Sequence, residues 1–317
     1  MYTITMSKKY KEKSKKNQTL KNLLTRPKYV NCNPHNRSNK VVRGSCLPED
    51  VLHILKVNYN ENNPYNQITS EKPRTIWKEL KRRLKTCTTE DCWLNIINDP
   101  IYVEKLNKYL YVPRPLQPPK WKTKKNYWLS NHDIDNVLSE YEKSYSMFRA
   151  ITTASIDFDD LCYVEDLCRL KNKEQVQEYL NLGKTKIGVV FNLDKLSEEG
   201  SHWVSLFIDL QEGFVFFFDS LGDKIPKEIK RLVDRLKQHC MELDTPIELK
   251  EYNNYKVEHQ KENSECGMYS LFFIVTLLTG KINNVPIESS EEKLDLFRKP
   301  RVPDSYVSNF RKIYFKV

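Results

Sequence analysis

Gln260-Lys-Glu-Asn-Ser-Glu-Cys266-Gly-Met-Tyr-Ser270 leads without a break into Leu271-Phe-Phe-Ile-Val-Thr-Leu-Leu-Thr279, and Gly280 ends the run. The stretch after Cys266 is apolar on every helical face, which predicts a helix buried all round rather than one lying on a surface. Gly280 suits the left-handed stop that closes many helices. Cys266 then sits at the helix N-terminus, where unpaired N–H groups and the positive end of the dipole favour a thiolate. A lone cysteine is more often a packed core residue. The polar approach Glu262-Asn-Ser-Glu265 places this sulfur at a surface instead.

Upstream lie three strand signals. Lys186–Leu193 reads as a buried strand, and His202–Leu210 and Phe214–Asp219 form a hairpin around Gln211-Glu-Gly213. A loop of four residues, 210–213, sets Asp209 opposite Phe214 and Val204 opposite Asp219. His202 and Asp219 are then diagonal neighbours on one face, about 7–8 Å between centres and within side-chain reach. A three-residue loop would put them on opposite faces. Taken singly, His202 could cap a strand and Asp219 could start a turn. With Cys266 they supply three roles of thiol catalysis: nucleophile, base and acid, and the carboxylate that orients the imidazole. The Gln260 amide and the Cys266 N–H are candidates for oxyanion stabilisation. His259 is a rival base by sequence proximity. This chemistry requires no metal and no organic cofactor.

The 317 residues hold 39% hydrophobic residues and no run of eighteen apolar ones, so a large core is available and no membrane-spanning helix is expected. The N-terminus has no apolar segment after its charges and reads as no secretory signal. Eight cysteines scattered along such a chain disfavour a disulfide framework and favour a reducing setting. The net charge of +10 is uneven: residues 1–43 carry nine Lys, three Arg and one Glu, leaving a body close to neutral. Residues 1–43 read as a basic disordered tail, either simply solvated or a tether to a polyanion such as DNA. Residues 44–112 read as a small helical module, with apolar residues at helical spacing in Ile76, Trp77, Leu80 and Leu84. Cys32-x2-His35 and Cys87-x4-Cys92 are too irregular for a zinc knuckle. Residues 112–125, with Pro113, Pro115, Pro118 and Pro119, read as extended and non-helical. Ser130 or Asn131 caps a helix through Ile134, Val137, Leu138 and Tyr141. Pro226 opens an amphipathic helix, Ile247–Tyr252 is a short strand, and Asp304–Phe315 is helical.

Gly200-Ser-His202-Trp203, then Phe218-Asp219-Ser220, then Gln260 and Asn263-Ser-Glu-Cys266-Gly267 resemble the Ulp/adenain clan of cysteine proteases in residue order and spacing. Trp128-Leu-Ser-Asn131 resembles the Trp-Leu-Asn-Asp motif of that clan's SUMO proteases, with Ser-Asn in place of Asn-Asp. The resemblance covers roughly residues 112–317. It implies an α+β fold, a mixed β-sheet packed against a central helix that carries the nucleophilic cysteine, in a protease domain over 113–317. It implies His202, Asp219, Gln260 and Cys266 as catalytic residues. It also implies Trp128 and Trp203 as substrate-binding residues that close over the backbone of small residues, Gly-Gly or Ala-Gly, before the scissile bond. Only two alanines occur in the chain. That composition, the helical N-terminal module and Asn192-Leu-Asp-Lys195 point to the viral branch, similar to thiol proteases of giant DNA viruses. The implied function is processing of structural precursors during virion maturation, in the virion or the host cytoplasm. The partners are a polypeptide substrate and, through the tail, DNA. Competing readings are a deubiquitinase or deSUMOylase acting on host conjugates, and an idle polyanion-binding scaffold.

Overall fold

The computed structural model describes residues 29–36, 42, 44–87 and 89–316. Its centre is a mixed six-stranded sheet: β1 (Phe148–Ala150), β2 (Ala154–Ser155), β3 (Lys186–Asn192), β4 (Trp203–Asp209), β5 (Phe214–Phe218) and β6 (Lys250–Asn253). The order is β1-β3-β4-β5-β6, with β2 also beside β3; β3, β4 and β5 are antiparallel, while β1, β2 and β6 join in parallel. The β4–β5 register pairs Asp209 with Phe214 and Ser205 with Phe218, so the hairpin has the four-residue loop that its sequence allowed.

Side chains alternate across these strands, and both faces are apolar, so both must be covered. Phe207, Phe214, Phe216 and Phe218 pack on the helix Cys266–Thr279. Val204, Leu206, Ile208, Val215 and Phe217 pack on Ile229, Leu232, Val233 and Leu236 of the helix Lys227–Met241. The Cys266 helix is buried along nearly its whole length and ends at Gly280 with φ 60°, the left-handed stop. Truncating one of its inner phenylalanines, such as Phe272 or Phe273, would cost about 3–5 kcal/mol. After Gly280, β7 (Lys281–Ile282) and β8 (Val285–Pro286) form a small hairpin.

A third core belongs to the N-terminal module, built from helices Glu49–Asn62, Pro73–Arg83 and Pro100–Leu110 with the 3-10 segment Glu90–Ile96. Its buried polar centre is Glu90, which accepts hydrogen bonds from Ser45 Oγ (2.7 Å), the Cys46 N–H (2.9 Å) and Trp77 Nε1 (2.6 Å). Burial raises the Glu90 carboxyl above the usual range against these donors.

Several expectations change. Residues 29–36 do not belong to a solvated tail: Val30 and Cys32 are buried in the module core, and the Cys32 backbone forms a β-bridge with Tyr111. Apolar residues there find a groove, and their burial is favourable. Residues 1–28, 37–41 and 43 of the expected tail, and the DNA contact assigned to that tail, lie outside the described residues. The cysteines also pair against expectation, as Cys32–Cys46, Cys87–Cys92 and Cys162–Cys168. Folding brings their Cα atoms to 5.3, 5.5 and 5.0 Å, inside the range a disulfide spans. Spacing in sequence alone could not show this. The proline-rich segment contains a 3-10 turn, Pro119–Lys122, because proline at its first position needs no donor and Trp121 N–H closes onto Pro118 O at 3.0 Å. The C-terminal helix is broken into Asp304–Val307, Ser308–Phe310 and Arg311–Tyr314. Ser130, not Asn131, caps the helix Asn131–Ser144, in a capping box with Asp133.

Candidate active site

His202 lies one residue before β4 and Asp219 one residue after β5, so both leave the pleat at one rim of the sheet. Their strands fix that rim through apolar packing on both faces, and the first turn of the Cys266 helix reaches it from one side. His202 Nε2 donates to Asp219 Oδ1 at 2.7 Å. Cys266, at the first position of its helix, acts on the same imidazole. Burial opposes charge on His202, but hydrogen bonds and charge from Asp219 and Cys266 outweigh it and raise its pKa to about 9.

Asp219 is held in turn. Its Oδ1 accepts the Leu221 N–H at 2.9 Å, an Asx turn that closes Asp219-Ser-Leu-Gly222. Its own N–H donates to Asn254 Oδ1 at 3.0 Å, and the Asn254 amide returns to Asp219 O. Asn254 is buried just after β6, the edge strand that pairs with β5. Nothing in its local sequence marked it; only the parallel pairing of β5 and β6 brings it to Asp219.

Gln260 is pinned by the same turn. Its N–H donates to Ser220 O at 2.9 Å, its Oε1 accepts from Ser220 Oγ at 2.8 Å, and its Nε2 donates to Glu262 O. The amide is thus oriented within the loop that ends at Cys266. Asp304 secures that loop from outside by accepting the Lys261 N–H at 3.1 Å. His259, the rival base, is buried and fully used: Nδ1 accepts the Val302 N–H at 3.0 Å, and Nε2 donates to Phe297 O at 2.9 Å. Burial lowers its pKa, so it is a neutral structural histidine, not a proton carrier for Cys266.

The two tryptophans flank one cleft of about 670 Å³ that also includes Leu129, Tyr163 and Leu196 in its lining. Trp203 Nε1 donates to Leu129 O at 3.0 Å. Gly267 makes room for both: a Cβ there would lie 3.1 Å from Leu129 Cβ and 3.4 Å from Trp203 Cδ1. Trp128 is 44% exposed over the cleft. The structure thus joins His202 to Asp219 by direct contact, brings Cys266 close enough to influence the same imidazole, fixes Gln260 on the loop before Cys266, and places Trp128 and Trp203 in one cleft. Cys32, Cys87 and Cys92 are committed to disulfides, and no group of three or more metal-ligating side chains occurs among the described residues.

A thiol, an imidazole and a carboxylate in series, beside an oriented amide at a helix N-terminus, can carry out acyl transfer through a thiolate. Residues 165–306 match the Ulp1 protease family, C-terminal catalytic domain. That match takes in a little under half of the chain. Over 159 residues the chain is 31% identical to a protein of Acanthamoeba polyphaga mimivirus named for an inferred thiol protease activity; the match is 50% of each. This chain therefore spans half the length of that relative. It is 26% identical over 199 residues to a cysteine protease of African swine fever virus (isolate Tick/Malawi/Lil 20-1/1983), covering 60% of this chain and 68% of the relative. The crystal structure of the African swine fever virus protease shares the fold, with a TM-score of 0.52 at 20% identity over 90% of this chain and 96% of that one. The Ulp1-family match begins with the first residue of the helix Glu165–Arg169 and takes in His202, Asp219, Gln260 and Cys266.

Proposed function

We propose that the chain is a cysteine endopeptidase that cleaves after small residues and processes viral structural precursors. The observation that carries this reading is the His202–Asp219 contact at 2.7 Å, with Cys266 acting on the same imidazole. In the proposed reaction Cys266 Sγ, as thiolate, attacks the scissile carbonyl. The Cys266 N–H and the Gln260 amide stabilise the tetrahedral oxyanion. Imidazolium His202 protonates the leaving amine, then takes a proton from the water that attacks the thioester. Asp219 keeps the Nε2 proton in place throughout. The cleft beside Trp128 and Trp203 receives the residues before the scissile bond, and flat indoles over a backbone without side chains exclude bulky ones.

The viral sources of the similar proteins, together with the alanine-poor composition, support the precursor-processing role and a location in the virion or host cytoplasm. The basic tail expected within residues 1–43 would add a DNA contact. A second reading, removal of a ubiquitin-like modifier, is favoured by one observation: a similar protein from another isolate of African swine fever virus (Pig/Kenya/KEN-50/1950) carries the name SUMO-1 cysteine protease. The test is hydrolysis of fluorogenic peptides ending in Gly-Gly or Ala-Gly, wild type against Cys266→Ala, with and without DNA. Cleavage that needs Cys266 sustains the peptidase. Rapid capture of Cys266 by a SUMO vinyl sulfone with little peptide hydrolysis moves the substrate to modifier conjugates. Folded protein that neither cleaves peptides nor reacts at Cys266 sinks both readings.

A further inference from the structure

We propose that Arg311 is a positioning residue that fixes the gap between Cys266 and the Trp128 wall of the cleft, and so governs how an extended peptide binds. The proposal rests on the reading that this cleft takes the peptide. Arg311 is buried near the far end of the chain, in the short helix Arg311–Tyr314. One arm of its guanidinium serves the nucleophile loop: Nη2 donates to Glu265 Oε1 at 2.9 Å and lies 3.5 Å from Ser264 O. Those are the two residues before Cys266. The other arm serves the cleft wall: Nη1 donates to Tyr127 O at 3.3 Å, one residue before Trp128. The guanidinium plane covers the Trp121 ring at 4.4 Å, and Trp121 Nε1 donates to the same Tyr127 carbonyl at 2.9 Å.

The backbone on either side of Trp128 is therefore tied inward. Tyr127 O is held by Arg311 and Trp121, and Leu129 O by Trp203. With both neighbours anchored, the Trp128 side chain is the one turned out over the cleft. A path of bonded contacts then runs Cys266–Glu265–Arg311–Tyr127–Trp128, closed on the other side by Gly267 against Trp203 and Leu129. Only a planar, forked cation that also stacks on an indole makes these contacts together; an ammonium reaches one arm at a time. Glu265 at the head of the helix is buried, and Arg311 is its ion-pair partner, so the loop and the wall are coupled through a desolvated contact rather than a surface one.

The test uses the full chain and four forms: wild type, Arg311→Lys, Arg311→Met, and Arg311→Met with Glu265→Gln, which removes the carboxylate left unpaired. Each is assayed with a six-residue substrate ending in Gly-Gly and with a Gly-Gly dipeptide carrying the same reporter, and Cys266 alkylation by iodoacetamide is timed in parallel. Arg311→Met is expected to raise KM for the long substrate about tenfold more than for the short one, since misplacing a binding wall by about 1 Å costs on the order of 10²-fold at most. The double variant should keep that length dependence, and Arg311→Lys should restore only part of it. Equal losses for both lengths with a parallel fall in alkylation would make Arg311 merely structural and overturn the proposal, as would no change in either. Binding of the six-residue peptide to Cys266→Ala, followed by tryptophan fluorescence, separates the two ideas. Wild type that binds yet cleaves nothing counts against the peptidase reading; binding that Arg311→Met leaves unaltered counts against this one.

Discussion

Replacing Asp219 by Asn removes one charge and little else. Asp219 Oδ1 accepts both His202 Nε2 at 2.7 Å and the Leu221 N–H at 2.9 Å, and an asparagine Oδ1 in that place keeps both contacts. Its Nδ2 would replace Oδ2, a buried atom with no partner among the described residues, at a stability cost of about 1–3 kcal/mol. The kinetic effect follows from His202. Burial disfavours its charge, Asp219 and Cys266 restore it, and the pKa stands at about 9 against an ordinary 6.5. Because the folded value lies above the unfolded one, the stability from this charge is fully present below pH 6.5 and is lost as pH rises through about 9. If the variant returns His202 to its ordinary value, the imidazolium fraction at pH 8 falls from about 0.9 to about 0.03, a loss of roughly 30-fold; at pH 6 it falls by less than about 1.5-fold. The assay is kcat/KM for a Gly-Gly peptide from pH 5.5 to 9.5. Wild type should keep its activity until an alkaline limb near pH 9, and Asp219→Asn should bring that limb down by up to about 2.5 pH units. A loss of the same size at pH 6 and pH 8, with the limb unmoved, would refute the electrostatic argument and leave Asp219 an orienting group only.

Gln260→Ala removes an amide that Ser220 and Glu262 hold in place, and should lower kcat about 10²–10³-fold with KM nearly unchanged; a change confined to KM would count against an oxyanion role. Gly267→Ala would set a Cβ 3.1 Å from Leu129 and 3.4 Å from Trp203, pushing the cleft wall outward, so KM for peptides should rise roughly tenfold while the helix itself is retained by circular dichroism. An unchanged KM would show that the wall yields without penalty.

The hairpin and the Cys266 helix were legible because hydrophobic period and turn chemistry are local. Phe214–Phe218 and Leu271–Leu278 each carry their own pattern, and Gly280 marks its own stop. The contact of His202 with Asp219 was legible because a single register, Asp209 opposite Phe214, decides it. Asn254 and Arg311 were not, since each acts through partners 35 to 184 residues away, and no local pattern encodes such a distance. His259 shows the same limit from the other side. It sits near Cys266 in sequence, yet its two nitrogens are already taken by Val302 and Phe297. The tail boundary failed for a related reason: lysine density hid Val30 and Cys32, whose cover comes from residues up to 111.

The disulfides set two requirements against each other. Cys266 must stay a thiol to react, whereas the N-terminal module is closed by Cys32–Cys46, fourteen residues apart. A loop of that length contributes about 3 kcal/mol by restricting the unfolded chain. The segment it closes is otherwise tied by Asn33 N–H to Leu110 O at 3.0 Å, Val112 N–H to Asn31 O at 2.9 Å, and Asn284 Nδ2 to Val30 O at 2.8 Å. Asn284 lies in the β7–β8 hairpin, directly beyond the Cys266 helix, so loosening the segment releases the far end of that helix from the module. Reductant should therefore raise Cys266 labelling and lower the unfolding midpoint seen by Trp77 and Trp93, which lie in the module core. The double variant Cys32→Ser with Cys46→Ser should reproduce the lower midpoint without reductant and leave Cys266 labelling as in reduced wild type. A midpoint indifferent to both treatments would mean that packing of Val30 and the hydrogen bonds of Asn33 and Asn284 close the segment by themselves, and that the sulfur bond adds nothing.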